Sequence, residues 1–287
     1  MNTRAKDLFL KRLNRGGSYA ILIIVGIMVI TPIVWLLLSS FKDDSNFMAW
    51  PIQILPAVWR WVNYNKVFTL PSSHFVSSGL RTVVVGVLYS AGLAISSAMG
   101  GYAFARYQDV KANHRLFRVI IVLLIVPGIV FLIPQFMLFS YMHIIPNTYW
   151  PWVLWALTGS PLYIFLYRQF FLGFPKELEE AAELDGCSPF RVFWQILLPN
   201  SKPVIATVSI FAFSGIWGDY ITPMLFLSQK MTLMGVTMAT NFVDPRGNAL
   251  RTVSFAGTVL YVLPLIILFF IGQKYILKGL ITSGLKG

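Results

Sequence analysis

The sequence is short of acidic side chains, with eleven in 287 residues against twenty-three lysines and arginines. It is short of charge altogether, at 12%, where soluble domains carry about 25%. Beside a hydrophobic content of 56%, that shortage excludes an ordinary soluble domain and describes a membrane chain. The positive charge is spread over the ends of apolar segments rather than gathered into a patch, which argues against a nucleic-acid partner. One cysteine, Cys187, excludes an internal disulfide and a multi-cysteine metal site. His74, His114 and His143 lie far apart without ligand spacing, so no metal site is expected.

Long apolar runs are present. The basic start "MNTRAKDLFLKRLNRGG" (1–17) precedes an apolar run from Tyr19 to Leu38. A cleaved signal peptide has a shorter apolar core of about 7–15 residues, so this run reads as an uncleaved first transmembrane helix. About 20 apolar residues cross the hydrocarbon core. Six stretches qualify, at 18–40, 79–104, 117–141, 148–172, 203–227 and 255–277. With the N-terminus inside, sixteen of the twenty-three basic residues fall on the inner side. The bias predicts an all-α integral membrane protein with both termini cytoplasmic.

Within the second span, Gly86, Ser90, Ala94 and Ala98 recur every four residues, a small-residue face for close helix packing. Breakers interrupt other spans at Pro127-Gly128, Pro134, Gly159-Ser160-Pro161 and Pro264, and membranes tolerate these where neighbours or a wet cavity satisfy the freed backbone. The outer segment 41–78 holds Trp50, Pro51, Pro56, Trp59 and Trp61, which read chiefly as an aromatic belt at the headgroups. In the fifth span, Trp217, Asp219 and Tyr220 combine an aromatic face with an ionisable group. Such a group faces a bundle interior, a cavity or a partner, so these residues are candidates for a substrate path. A structural hydrogen bond for Asp219 and an interface belt for the two rings are the other readings.

The scarce carboxylates gather in "KELEEAAELDG" (176–186), which holds five of the eleven. Pro175 suits a first helical turn, the glutamates suit its positive end, and Gly186 suits a left-handed cap. Ser188-Pro189 opens a second helix whose Phe190, Phe193, Trp194 and Leu197 form one apolar stripe. The result is a helix–turn–helix on the cytoplasmic face. An exposed hairpin offers no shielded pocket for a catalytic carboxylate, and no nucleophile accompanies it, so no catalytic residue is expected. The hairpin either packs on the bundle as a solvated element or docks through Ala181-Ala182, with its carboxylates meeting arginines of a partner.

The pattern Glu180-Ala181-Ala182, three residues, Gly186, nine residues, then Ile196-Leu197-Leu198-Pro199 resembles the EAA loop of binding-protein-dependent ABC importer permeases. That loop has the form EAA-x3-G-x9-I-x-L-P. "GGYAFARY" (100–107) and "FSGIWGDYITPMLFL" (213–227) resemble helices of the carbohydrate-uptake permeases. "GQKYILKGLITSGLKG" (272–287) is similar to the tail of maltose-type G permease subunits. The resemblance makes 18–287 an importer transmembrane domain with the EAA loop at 175–199. It assigns ATPase coupling to Glu179, Glu180, Ala181, Ala182, Asp185, Gly186, Ile196, Leu198 and Pro199. It assigns contact with the ATPase pair to a tail carrying Lys278, Gly279, Gly284 and Lys286.

The partners so implied are a second permease subunit, two ATPase subunits and an extracytoplasmic solute-binding protein, in the inner membrane of a prokaryote. The expected cargo is a sugar or oligosaccharide, with a non-sugar solute as the alternative. No G-x-x-x-x-G-K-[ST] loop occurs, so this chain has no phosphate cradle, and ATP and Mg are expected on the ATPase. An ion-coupled secondary transporter would predict paired ionisable residues within spans, where only Asp219 is found.

Overall fold

A chain with long apolar runs builds helices, because lipid leaves each backbone group to be satisfied within its own segment. The computed structural model describes residues 3–45, 47, 50–240, 242–244 and 246–284, with side chains from 17 to 275 among these. The helices are α1 (Thr3–Ser39), α2 (Val62–Thr69), α3 (Phe75–Arg106), α4 (Lys111–Ile125), α5 (Leu132–Tyr141), α6 (Trp150–Thr158) and α7 (Pro161–Leu172). They continue with α8 (Glu177–Leu184), α9 (Pro189–Val192), α10 (Leu198–Asn200), α11 (Lys202–Gly218), α12 (Ile221–Phe226), α13 (Met234–Thr240) and α14 (Arg251–Gly284). A π-turn at Phe193–Leu197 joins α9 to α10.

Three described helices are long and apolar enough to cross a bilayer: α1 from Gly17, α3, and α14 as far as Tyr275. Two bent pairs add to these, α4 with Gly128–Tyr141 at 100° and Pro189–Asn200 with α11 at 80°. The expected third span therefore breaks at Pro127-Gly128, and the fourth divides into α6 and α7 at Gly159, whose φ is 75°. Pro134 falls in the first turn of α5, where its missing N–H costs nothing, and Pro264 lies inside an unbroken α14. The fifth span breaks at Asp219-Tyr220, a position without proline that the breaker pattern does not mark. The N-terminal segment is helical from Thr3, continuous with α1.

The described chain divides into two compact units. One comprises 1–73 with 242–261. There Phe41 is buried among Trp59, Trp61 and Tyr64, and Asn63 Nδ2 donates to the Ser40 and Lys42 carbonyls at 2.9 and 2.8 Å. Lys42 Nζ donates to the Gln53 carbonyl at 2.6 Å and lies 3.9 Å over the Trp35 ring. Burial pushes its pKa below the ordinary lysine value. Trp59 and Trp61 nevertheless keep exposed faces.

The second unit comprises 74–241 with 262–287 and is organised around α3, which packs against α6, α7 and α11. The small-residue face explains how. Ser90, Ala94 and Ala98 are buried, and a Cβ on Gly86 would lie 2.9 Å from the Phe213 ring. At Gly101 a Cβ would lie 2.5 Å from Tyr167 Cβ and 2.9 Å from the Arg168 backbone nitrogen. Only glycine lets α3 and α7 approach so closely.

Candidate functional site

Glu177, Glu179 and Glu180 occupy the first turn of α8, where free amides and the helix dipole favour negative charge. Pro175 stands just outside that turn, before the N-cap Lys176. Gly186 ends the helix with φ 81°. Its N–H donates to the Glu183 carbonyl at 3.0 Å, and the Cys187 N–H reaches back to Ala182 at 2.9 Å. This is a Schellman closure, which satisfies two carbonyls of the last turn. Ser188 Oγ then accepts the Arg191 N–H at 3.4 Å, with Pro189 in the first turn of α9.

The expected apolar stripe divides. Phe193 and Leu197 are buried with Val192, whereas Phe190 is 62% and Trp194 37% exposed. In the π-turn the Leu198 N–H donates to the Phe193 carbonyl, one residue further back than in an α-helix. Pro199 has no N–H for the Gln195 carbonyl and would crowd it, which accounts for the wider turn beside it.

A buried ion pair holds the hairpin. Arg106 sits in the last turn of α3, where the carbonyl end favours a cation. Its Nε donates to both carboxylate oxygens of Glu179 at 2.8 and 2.9 Å, and its Nη2 also donates to Oε1. Nη1 donates to the Phe171 carbonyl at the end of α7, at 2.7 Å. The two side chains are only 10% and 8% exposed. Ala182, Val192, Phe193 and Leu197 extend the contact, sharing one core with Ala94, Ala98, Tyr167, Phe171 and Val208, while Ile196 and Leu198 pack at its edge. The hairpin is thereby tied to α3, α7 and α11.

Glu179 thus faces inward and is satisfied within the chain. Glu177, Glu180, Glu183 and Asp185 are exposed, as are Ala181, Gly186 and Pro199. These four carboxylates form no ion pair among the described residues. With Leu184 and Phe190, also exposed, they present an acidic and apolar surface.

The candidate path residues do not converge. Trp217 is 4% exposed and stacks on Phe213 with centroids 5.7 Å apart, while Tyr220 lies outward. Asp219 Oδ1 accepts the Thr222 N–H at 3.1 Å and so starts α12 after the break. Its backbone presses on α13, since a Cβ on Gly235 would lie 2.3 Å from the Asp219 carbonyl oxygen.

The family profile described as binding-protein-dependent transport system inner membrane component matches residues 92–282, which include the hairpin and its anchor. The chain belongs to this family. It is 30% identical to the arabinooligosaccharides transport system permease protein AraQ of Halalkalibacterium halodurans, over 92% of this chain and 93% of that one. It is 29% identical to the maltodextrin transport system permease protein MalD of Streptococcus pneumoniae, over 96% and 97%. A chain from the crystal structure of a bacterial ABC transporter involved in alginate import superposes with a TM-score of 0.80 at 20% identity, covering 96% of this chain and 99% of that chain. The fold is therefore that of an inner-membrane transport component.

For this transport component, the sequence signals missed two things. Arg106 was legible only as a basic residue ending a span, because nothing in the pattern links it to Glu179. The Asp219 break carries no proline, and its signal is the Asp-x-x-Thr capping spacing alone. In the tail, α14 runs on to Gly284 with Gly279 inside it. The Lys278 side chain and all of Lys286 lie outside the described residues.

Proposed function

We propose that this chain is one permease half of an ATP-driven importer for a sugar or oligosaccharide delivered by an extracytoplasmic binding protein. The observation that carries this reading is the EAA hairpin tied to α3 and α7 through Arg106 and Glu179. Its exposed Glu180, Ala181, Asp185 and Gly186 would meet a separate ATPase subunit, which would bind ATP and Mg. Glu179, Ala182, Ile196, Leu198 and Pro199 would carry that subunit's movement into the bundle. The tail through Lys278, Gly279, Gly284 and Lys286 would reach between two ATPase subunits. A second permease would complete the pore.

Six spans with cytoplasmic termini fit the three long helices and the two bent pairs once α6 and α7 are taken as one crossing. The sugar assignment is supported by relatives named for arabinooligosaccharide and maltodextrin transport and by the resemblance of 213–227 and 272–287 to carbohydrate permeases. The substrate path would pass the break at Asp219-Tyr220, with Trp217 positioning it from the core.

The test is uptake by vesicles holding the complete assembly with its binding protein. ATP should drive uptake, and an ion gradient alone should not. Gly186→Val places a β-branched side chain at φ 81° with open space around it, so only the turn is strained. Substrate-driven ATP hydrolysis should fall about tenfold. Wild-type transport by this variant would remove the coupling role. A sugar should be recovered by mass spectrometry from the purified binding protein, and a non-sugar there would change the cargo alone.

A further inference from the structure

The hairpin leaves one charged feature of the same unit unexplained. Lys111, His114, Arg115 and Arg118 recur at i, i+3, i+4 and i+7 along α4, one face of a helix. With Gln108 and Asp109 they line an open groove of about 600 Å³. Among the described residues, Asp109 is the only acidic group lining it. Lys111, Arg115 and Arg118 are exposed and form no ion pair among the described residues.

The opposite face of α4 is fixed, so the basic face cannot roll away. Asn113 Nδ2 donates to the Ala103 and Tyr107 carbonyls at 3.2 and 2.7 Å. The Phe117 ring lies 5.4 Å from Phe104 and 4.1 Å beneath the Arg168 guanidinium. Phe117, Ile120, Ile121 and Leu124 are half-buried on this side.

The basic face continues as an apolar one. Val119 and Val122 follow Arg115 at i+4 and i+7, and Val122 and Ile125 follow Arg118 in the same way. All three apolar side chains are exposed, with Ile125 78% so. The stripe spans roughly 10 Å from Arg118 to Ile125, at 1.5 Å per residue. It stops where the chain turns by 100° at Pro127-Gly128. Cations followed along one helix face by exposed aliphatic groups match a phosphate headgroup followed by an acyl chain. An acidic protein surface would use the cations and leave the aliphatic stripe uncovered.

The geometry points to an anionic phospholipid site on α4, with the headgroup phosphate held by Lys111, Arg115 and Arg118 and one acyl chain laid along Val119, Val122 and Ile125. Basic pockets on the cytoplasmic side of membrane helices bind anionic headgroups in this way. The site rests on the chain lying in a bilayer and is independent of the solute carried.

The complete transporter assembly is purified in mild detergent and exchanged against equimolar phosphatidylglycerol and phosphatidylcholine, and retained lipid is read by native mass spectrometry. The parent should retain phosphatidylglycerol preferentially. Lys111→Gln/Arg115→Gln/Arg118→Gln should lower that preference at least about tenfold. Lys202→Gln, an exposed lysine off this face, should leave it unchanged. Val122→Ser/Ile125→Ser keeps the charges and should also lower retention, whereas excess inorganic phosphate should not displace the lipid. Equal retention by the parent and the triple variant overturns the site. So does loss of ATPase subunits from the triple variant with its lipid profile intact, which would make the face a protein contact. If the triple variant does not assemble, Arg115→Gln alone carries the same comparison.

Discussion

Arg106, at the end of one long helix, encloses the carboxylate of Glu179 in the first turn of another, with Nε at 2.8 and 2.9 Å from its two oxygens. The pair lies where α3, α7 and α8 meet, because the same guanidinium also holds the Phe171 carbonyl. Removing one partner of a buried pair costs about 3–5 kcal/mol, since the other charge is left without compensation. Glu179→Gln and Arg106→Gln should therefore each loosen the hairpin, read as faster amide exchange across 177–197 and weaker substrate-driven ATP hydrolysis. Arg106→Leu/Glu179→Leu should recover part of the protection, because no buried charge remains. Additive effects of Arg106→Gln and Glu179→Gln in the Arg106→Gln/Glu179→Gln double variant would show that the two groups act separately.

The approach of α3 to α7 gives a steric prediction. A methyl on Gly101 meets Tyr167 Cβ at 2.5 Å and backbone beyond it, so the helices themselves must separate. Gly101→Ala should cost about 1–3 kcal/mol and lower the unfolding temperature of the purified protein. Gly100→Ala meets only the Ile164 side chain at 3.3 Å, which must give by a few tenths of an ångström, and Gly215→Ala meets nothing within 4 Å. Neither of those two variants should unfold more than about a degree or two below the parent, and Gly215→Ala should unfold above it through its gain in helix propensity. Equal gains at all three positions would mean that the helix propensity of alanine, not contact, sets the response.

Much of this architecture was legible because it rests on local chemistry. Hydropathy located α1, α3 and α14, and the left-handed requirement at Gly186 together with Ser188-Pro189 located the hairpin's turn. What was hidden depends on residues far apart in the chain. Arg106 and Glu179 are separated by 73 positions, and each reads alone as a terminal charge. The exposed and buried halves of Phe190, Phe193, Trp194 and Leu197 were not separable by an α-helical period, because the last three of them lie in a π-turn. Gly235 gave no signal, since its need for glycine comes from the Asp219 carbonyl across the fold.

A pH response is expected in the loop around Asp244. Its Oδ1 accepts the Arg246 and Asn248 N–H groups, both at 2.8 Å, and its Oδ2 accepts Asn248 Nδ2 at 2.9 Å. The Asn248 side chain and backbone hold the carboxyl below the ordinary value of 3.8. A carboxylate with a depressed folded pKa contributes its stabilisation above the ordinary value and loses it as pH falls through the folded one. Exchange of the Arg246 and Asn248 amides, corrected for intrinsic rates, should stay flat from about pH 5 to 8 and accelerate only below the ordinary carboxylate range. Asp244→Asn cannot titrate there, so it should remove the acid limb. An acid limb that persists in this variant would place the titrating group elsewhere.

The break at Asp219 separates a structural carboxylate from one that meets the solute. Asparagine keeps an oxygen at Oδ1 for the Thr222 N–H and removes only the charge, whereas alanine removes the cap as well. Loss of such a cap costs about 0.5–2 kcal/mol, so Asp219→Ala should reduce assembly of the complex. Asp219→Asn should assemble normally. If the carboxylate accepts hydrogen bonds from the passing solute, uptake by Asp219→Asn should fall about tenfold, the scale of one hydrogen bond to a charged group. Tyr220→Phe, which retains the exposed ring and loses its hydroxyl, should raise the solute concentration needed for half-maximal uptake. Trp217→Ala acts through the core: losing the stack on Phe213 should lower the unfolding temperature together with transport. Parental uptake and solute preference in both Asp219→Asn and Tyr220→Phe would leave Asp219 as the cap of α12 and move the path to another face of the bundle.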